Sequence, residues 1–181
     1  IVSNSPAMLG KTLQSVLDHI DQNQGAAIER LQSLLRIPSV STDPEYAQEV
    51  HRCAEHLAQD LRSIGLETTV YTTKQHPMIV ATDDSAGPEA PRVLYYGHYD
   101  VQPVQPLEEW HDDPFEANVV EGPRGPRIVA RGAADDKGQL MTFVEAIRSW
   151  KAVHGQLPIR VVMLFEGEEE CGSPSLEPFL H

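Results

Sequence analysis

Four acids fall within five positions, Glu166, Glu168, Glu169 and Glu170 in the run FEGEEECGS, and they follow the apolar stretch IRVVMLF without a spacer. A run of acids is usually a solvated face. One that leaves a buried strand directly must lie at least partly at the rim of a sheet, where like charges repel unless a cation sits among them. A metal ion would remove that repulsion and free a remaining glutamate to act as general base. A second group, GHYDV, directly follows the strand-like RVLYY, placing His98 and Asp100 just beyond a strand's carboxyl end. There His98 can bind a divalent metal while Asp100 orients its ring through the other nitrogen. A strand-end histidine satisfied by an ordinary hydrogen bond is the competing reading. The third group, GAADDKG, sets Asp135 and Asp136 immediately before a helical pattern. Capping and the helix dipole would also explain two acids there. Each group is ambiguous alone, but capping and solvation do not readily explain all three together, so a metal site is expected.

The elements that must position these residues are legible from periodicity. Leu13, Val16, Leu17 and Ile20 recur at helical spacing, and after Gln24 and Gly25 the pattern resumes with Ile28, Leu31, Leu34 and Leu35 until Pro38 stops it. A second helix is expected from Pro44, with Ala47, Val50, Ala54, Leu57, Leu61 and Ile64 on one face and Gly65 ending it. His51 and His56 ride on this helix as ordinary surface or boundary residues. Strands are expected at 67–71, 78–81, in RVLYYG and in IRVVMLFEG, with a short antiparallel pair ANVVEG and RIVARG around GPRGP, and a helix from Lys137 to Val153. Helices alternating with apolar strands imply an α/β structure with helices on both faces of a sheet. The final SPSLEPFLH reads as a helix start at Ser173 and Pro174, so a piece of something longer is expected.

At 181 residues and 40% hydrophobic content, one core is the expectation. A formal charge of -13 repels nucleic acid and anionic membrane alike. Cys53 and Cys171 are too few for a disulfide framework or a four-cysteine zinc module, which fits a reducing compartment. No apolar run approaches the ~20 residues a membrane span needs, and the opening IVSNSPAMLGK lacks the layout of a signal peptide. The cytoplasm is the expected location, although the start at Ile1 leaves a removed leader open.

Taken in order, GHYDVQP, RGAADDKG and EGEEECGS resemble the signature set of the acetylornithine deacetylase, succinyl-diaminopimelate desuccinylase and carnosinase family of co-catalytic metallopeptidases. WHDDPFEA, with Trp110, Pro114 and Phe115, is similar to an element of its carnosinase-like dipeptidases. The resemblance runs from about Leu34 onward. It implies a zinc-peptidase-like fold, a three-layer αβα sandwich with a mixed, mostly parallel sheet, of which residues 1–181 would be the N-terminal portion of one catalytic domain. It further implies two divalent metal ions, zinc with Mn or Co as alternatives. His98 would be a ligand of one, Asp135 the carboxylate bridging both and Glu170 a ligand of the second, with Asp100 orienting His98 and Glu169 the general base. Asp136 falls where the family varies, the peptide bond after the bridging aspartate is expected to be cis, and Cys171 reads as a packing variant.

The implied reaction is hydrolysis of a dipeptide or small peptide amide by metal-activated water, or deacylation of an N-acyl amino acid with the same machinery. Family members supply a further acid ligand and a histidine beyond the positions present here, together with a lid domain through which they form homodimers. With two protein ligands per metal, one fewer than catalytic zinc normally keeps, an inactive truncated chain with weak metal binding is the competing expectation.

Overall fold

The computed structural model describes residues 6–181, with side chains from Thr12 onward, so the reading at Ile1 lies outside it. Helix α1 (Pro6–Leu35) is one continuous helix of 30 residues, not two stretches divided at Gly25. A helical glycine costs only about 1 kcal/mol, which the continuing apolar stripe offsets. Among the described side chains of its first half only Val16 is buried, while Leu13, Leu17 and Ile20 are exposed. Helix α2 (Ala47–Ser63) follows a single 3-10 turn at Pro44–Tyr46 and buries Val50, Ala54, Leu57 and Leu61, the face its spacing implies. It ends where Gly65, at φ +79°, turns the chain into strand β1 (Glu67–Tyr71). Strands β2 (Met78–Asp83) and β3 (Arg92–His98) come next. A two-stranded ribbon of β4 (Asn118–Val120) and β5 (Arg127–Val129), helix α3 (Lys137–His154), strand β6 (Arg160–Glu166) and the short α4 (Leu176–Leu180) complete the order. The last helix starts three residues later than Ser173, because Ser173 sits at φ 51° outside it.

The main sheet runs β1-β2-β6-β3. The expectation of a mostly parallel sheet is corrected: β1 pairs β2 and β2 pairs β6 antiparallel, and only β3 and β6 run parallel. For β1 and β2 the reason is connection length. A parallel crossover takes a dozen or more residues, and the link between Tyr71 and Met78 is far too short for one. Among the described residues α1, α2 and α3 pack on one face of the sheet. Val161, Met163 and Phe165 of β6, with Ile79 and Ala81 of β2, point into a core shared with α2, α3 and the end of α1. On the other face Leu94 and Tyr96 are exposed. That side receives only α4, whose Phe179 meets Tyr71 edge-on with ring centroids 5.3 Å apart.

Charged groups clamp the helical layer. Arg30 of α1 grips Glu145 of α3 through two 2.7 Å hydrogen bonds, and Arg148 of α3 grips Asp60 of α2 through two of 2.6 Å. At the edge of the core Lys151 pairs with Asp83, whose side chain is 3% exposed. Burial alone would raise the pKa of Asp83, but the hydrogen bonds from Lys151 and Ser85 outweigh it and hold the value below the usual carboxylate range. A carboxylate depressed in this way stabilises the fold above its unfolded pKa, near 3.9, and loses that contribution as the pH falls through its lower folded value. Lys151→Met leaves the buried Asp83 without its cation, held only by Ser85, so chemical unfolding at pH 7 is expected to show a loss of about 3 kcal/mol. The difference from wild type narrows as the pH is taken below about 4.

Candidate metal centre

The single parallel pairing sets up the site. Strands β3 and β6 lie in register with His98 opposite Glu166, so the GHYDV and EGEEE segments leave the sheet side by side. The Asp135 loop reaches them because two glycines allow close approach. A Cβ on Gly97 would lie 2.9 Å from Asp136 Oδ2, and one on Gly138 would lie 1.9 Å from the Ala133 carbonyl oxygen. Asp136 Oδ2 accepts the His98 backbone N–H at 3.1 Å, tying the loop to the end of β3. Lys137, fully buried, donates to the carbonyls of Leu34 and Ile37 at 3.1 and 2.7 Å and fastens the start of α3 to the end of α1. The peptide bond between Asp135 and Asp136 is cis.

His98 and Asp100 are both buried. The imidazole Nδ1 faces Asp100, 3.1 Å from its backbone oxygen and 3.3 Å from Oδ1. That leaves Nε2 pointing at acids, 3.1 Å from Asp135 Oδ1 and 3.8 Å from Glu169 Oε2. Burial opposes charge on this ring. The hydrogen bond and charge of Asp100, with the charges of Asp136 and Glu169, win and raise its pKa to about 9. Asp100 also accepts from the backbone N–H groups of Glu169 at 3.3 Å and Glu170 at 3.1 Å, so one carboxylate orients the ring and fixes the glutamate turn.

One ligand atom each from His98, Glu169 and Glu170 lie within 4.8 Å of one another. Asp135 joins them through its 3.1 Å approach to His98, with its side chain 74% exposed. Gln102 steadies Glu170, donating to Oε2 at 2.7 Å. Apart from His98, no cation forms an ion pair with Asp135, Glu169 or Glu170 among the described residues. An imidazole whose second nitrogen is held by a carboxylate, facing three further carboxylates, fits a divalent ion of the Zn, Mn or Co type. The five expected site residues are therefore brought together. Distance does not separate ligand from base, since Glu169 lies in the tight group with His98 and Glu170.

Other acids of the same motifs do different work. Glu168 is fully buried and accepts from His76 N at 2.8 Å, Thr73 Oγ1 at 3.1 Å and Ser175 N at 2.9 Å, so it ties the 72–77 loop to the chain after the glutamates. Glu166 is buried too, accepting from the Tyr96 hydroxyl and from Ser173 Oγ at 2.9 Å. Its burial raises its pKa against the pull of those two donors. Cys171 is exposed, and its thiol donates to the Glu168 carbonyl at 3.3 Å, so it closes a turn and fills no core space. In the WHDDPF segment, Trp110 Nε1 donates to the Val104 carbonyl at 2.9 Å and its ring lies 5.4 Å from the Arg131 guanidinium. Arg131 N donates to the Pro114 carbonyl at 2.8 Å, bracing the strand that leads into the Asp135 loop. Only local sequence context could have told Glu168 from its neighbours, because the type of residue is the same. A cavity of about 710 Å³ between α1, the β4–β5 ribbon and the first turn of α3 is lined by none of the five site residues.

A mixed sheet whose parallel strand ends gather an imidazole and carboxylates defines an α/β domain with donors suited to a metal ion. The chain belongs to peptidase family M20/M25/M40, whose model matches residues 94–181. It is homologous to metallodipeptidases: it is 31% identical over 178 residues to the Beta-Ala-His dipeptidase of Rattus norvegicus, covering 92% of this chain and 35% of that protein. It is 32% identical over 178 residues to the Cys-Gly metallodipeptidase dug1 of Schizosaccharomyces pombe, covering 93% of this chain and 37% of that one. The crystal structure of human carnosine dipeptidase 1 superposes with a TM-score of 0.85 at 30% identity, covering 93% of this chain and 37% of the other. The chain thus spans about a third of the length of the relatives it matches.

Adjacent glutamates with different duties should respond differently to truncation. Glu168→Ala strands two buried backbone amides, those of His76 and Ser175, and is expected to cost on the order of 3 kcal/mol in denaturant unfolding. Glu169→Ala, half exposed, should stay within about 0.5 kcal/mol in metal-free buffer.

Proposed function

We propose that the protein hydrolyses the amide bond of dipeptides or small peptides using two divalent metal ions. The observation that carries this reading is His98, backed by Asp100 and facing Asp135, Glu169 and Glu170 at the ends of the parallel strands. His98 and Asp135 would hold one ion and Asp135 and Glu170 the other, zinc by the donor types, with Mn or Co also suited to them. Bound ions would lower the pKa of a water molecule and polarise the scissile carbonyl. Glu169, its side chain 44% exposed, can accept the water's proton and return it to the leaving amine, a contribution of roughly 10² to 10⁴ in rate. The names of the relatives, a Beta-Ala-His dipeptidase and a Cys-Gly metallodipeptidase, support a dipeptide as substrate. Cleavage of an N-acyl amino acid would use the same groups. Within this reading the protein works as a homodimer through a lid domain, and its free cysteines suit a cytoplasmic setting.

The reading is tested by assaying β-alanyl-histidine, cysteinyl-glycine and an N-acyl amino acid before and after chelation. Hydrolysis is expected to stop on metal removal and return with added Zn, Mn or Co. Glu169→Gln should lower kcat by roughly 10² to 10⁴ with metal content retained, whereas His98→Ala should lower the metal content itself. Turnover of the acyl substrate alone would select the deacylase. Absence of any turnover in metal-loaded protein would mean a metal-binding chain that hydrolyses nothing.

A further inference from the structure

Asp100 takes its shortest hydrogen bond from outside the acid and histidine motifs. Ser41 Oγ donates to Asp100 Oδ2 at 2.5 Å, and Ser41 is 8% exposed. The serine is held in place from two directions. On one side Val40 bridges Val101, the Val101 N–H donates to the Ser39 carbonyl at 3.0 Å, and Ser39 Oγ donates to the Tyr99 carbonyl at 2.6 Å. On the other side the Ser41 carbonyl lies 3.1 Å from His76 Nε2, which must carry the hydrogen because a carbonyl only accepts. His76 in turn donates its backbone N–H to Glu168 Oε1 at 2.8 Å. Glu168 opens the turn whose amides, those of Glu169 and Glu170, return to Asp100. Ser41, Asp100, the 168–170 turn and His76 therefore form a closed ring of hydrogen bonds.

We propose that Ser41 is a positioning residue for the metal centre, setting the rotation of the Asp100 carboxylate so that Oδ1 stays on His98 Nδ1 and Nε2 stays aimed at the metal. The inference rests on the metal reading above. A carboxylate has about four acceptor positions, and Asp100 spends them on Ser41, His98 and the two amides. Without the hydroxyl, Oδ2 keeps only the Glu170 amide at 3.1 Å, and the carboxylate can turn, taking the imidazole with it. Partners of this kind, one step removed from the ion, typically change metal affinity by roughly 10- to 100-fold.

The test is titration of the protein with Co²⁺, read by its visible ligand-field spectrum, and with Zn²⁺ by competition, for wild type, Ser41→Ala and Ser41→Cys. Thermal unfolding of the metal-free forms reports on folding. Cysteine keeps the size of serine with a weaker donor, so it serves if the alanine variant does not fold. The expected result is a roughly 10- to 100-fold weaker Co²⁺ affinity in Ser41→Ala with an altered spectrum, a smaller loss in Ser41→Cys, and little change in metal-free unfolding. Folded variants that bind Co²⁺ within about threefold of wild type, with the same spectrum, would overturn the role of Ser41, since the expected loss is far larger. Wild-type protein that binds neither ion would instead overturn the metal reading, and this proposal with it.

Discussion

The site is organised around one buried carboxylate. Asp100 is fully enclosed, and a charge in that position is tolerated only when donors surround it. It has them: a serine hydroxyl, an imidazole and two backbone amides, drawn from three separate stretches of chain. Because each donor needs the carboxylate as much as the carboxylate needs it, moving any of them exposes an unsatisfied group. The geometry of His98 and of the glutamate turn is thus a by-product of satisfying Asp100. Exposed carboxylates such as Asp135 and Glu169 can then be presented toward a cation without supporting the fold themselves.

The sheet needs only one parallel pairing to achieve this. With β3 and β6 running the same way, their carboxyl ends deliver His98 and Glu166 to the same rim, and the antiparallel pair β1 and β2 merely widens the surface on which the helices rest. Lys137 completes the arrangement from the far side. Its ammonium group, buried against the Leu34 and Ile37 carbonyls, satisfies the end of α1 while anchoring the loop that carries Asp135. Burial, helped by the charge of Arg52, lowers the pKa of that lysine.

Much of this could be read from the sequence. Strand ends followed at once by His98 or by the glutamate run located the site, and the apolar spacing of Val50, Ala54, Leu57 and Leu61 located α2 and its buried face. Sheet direction departs from what the resemblance implies, and for β1 and β2 the short link from Tyr71 to Met78 carries that information in the sequence. Ser41, His76 and Glu168 were missed for a different reason. Their work depends largely on partners far away in the chain, 59 residues for Ser41 with Asp100 and 92 for His76 with Glu168, and nothing in local spacing marks a buried serine as the donor to a distant aspartate. Asp136 was passed over beside Asp135, and only the closeness of Gly97 explains what its carboxylate does.

The hydrogen-bond ring through Ser41, Asp100, Glu168 and His76 also bears on how the domain is made. Its links join positions far apart in the chain, and such distant pairings pay their loop-closure entropy before they return any stability. Local helices can form early, but the ring cannot close until the segment through Ser175 has been synthesised and has settled against the 72–77 loop. Until then Asp100 and Glu168 lack the donors that surround them in the folded protein. Closing the ring is thus a long-range event that depends on segments from both ends of the described chain.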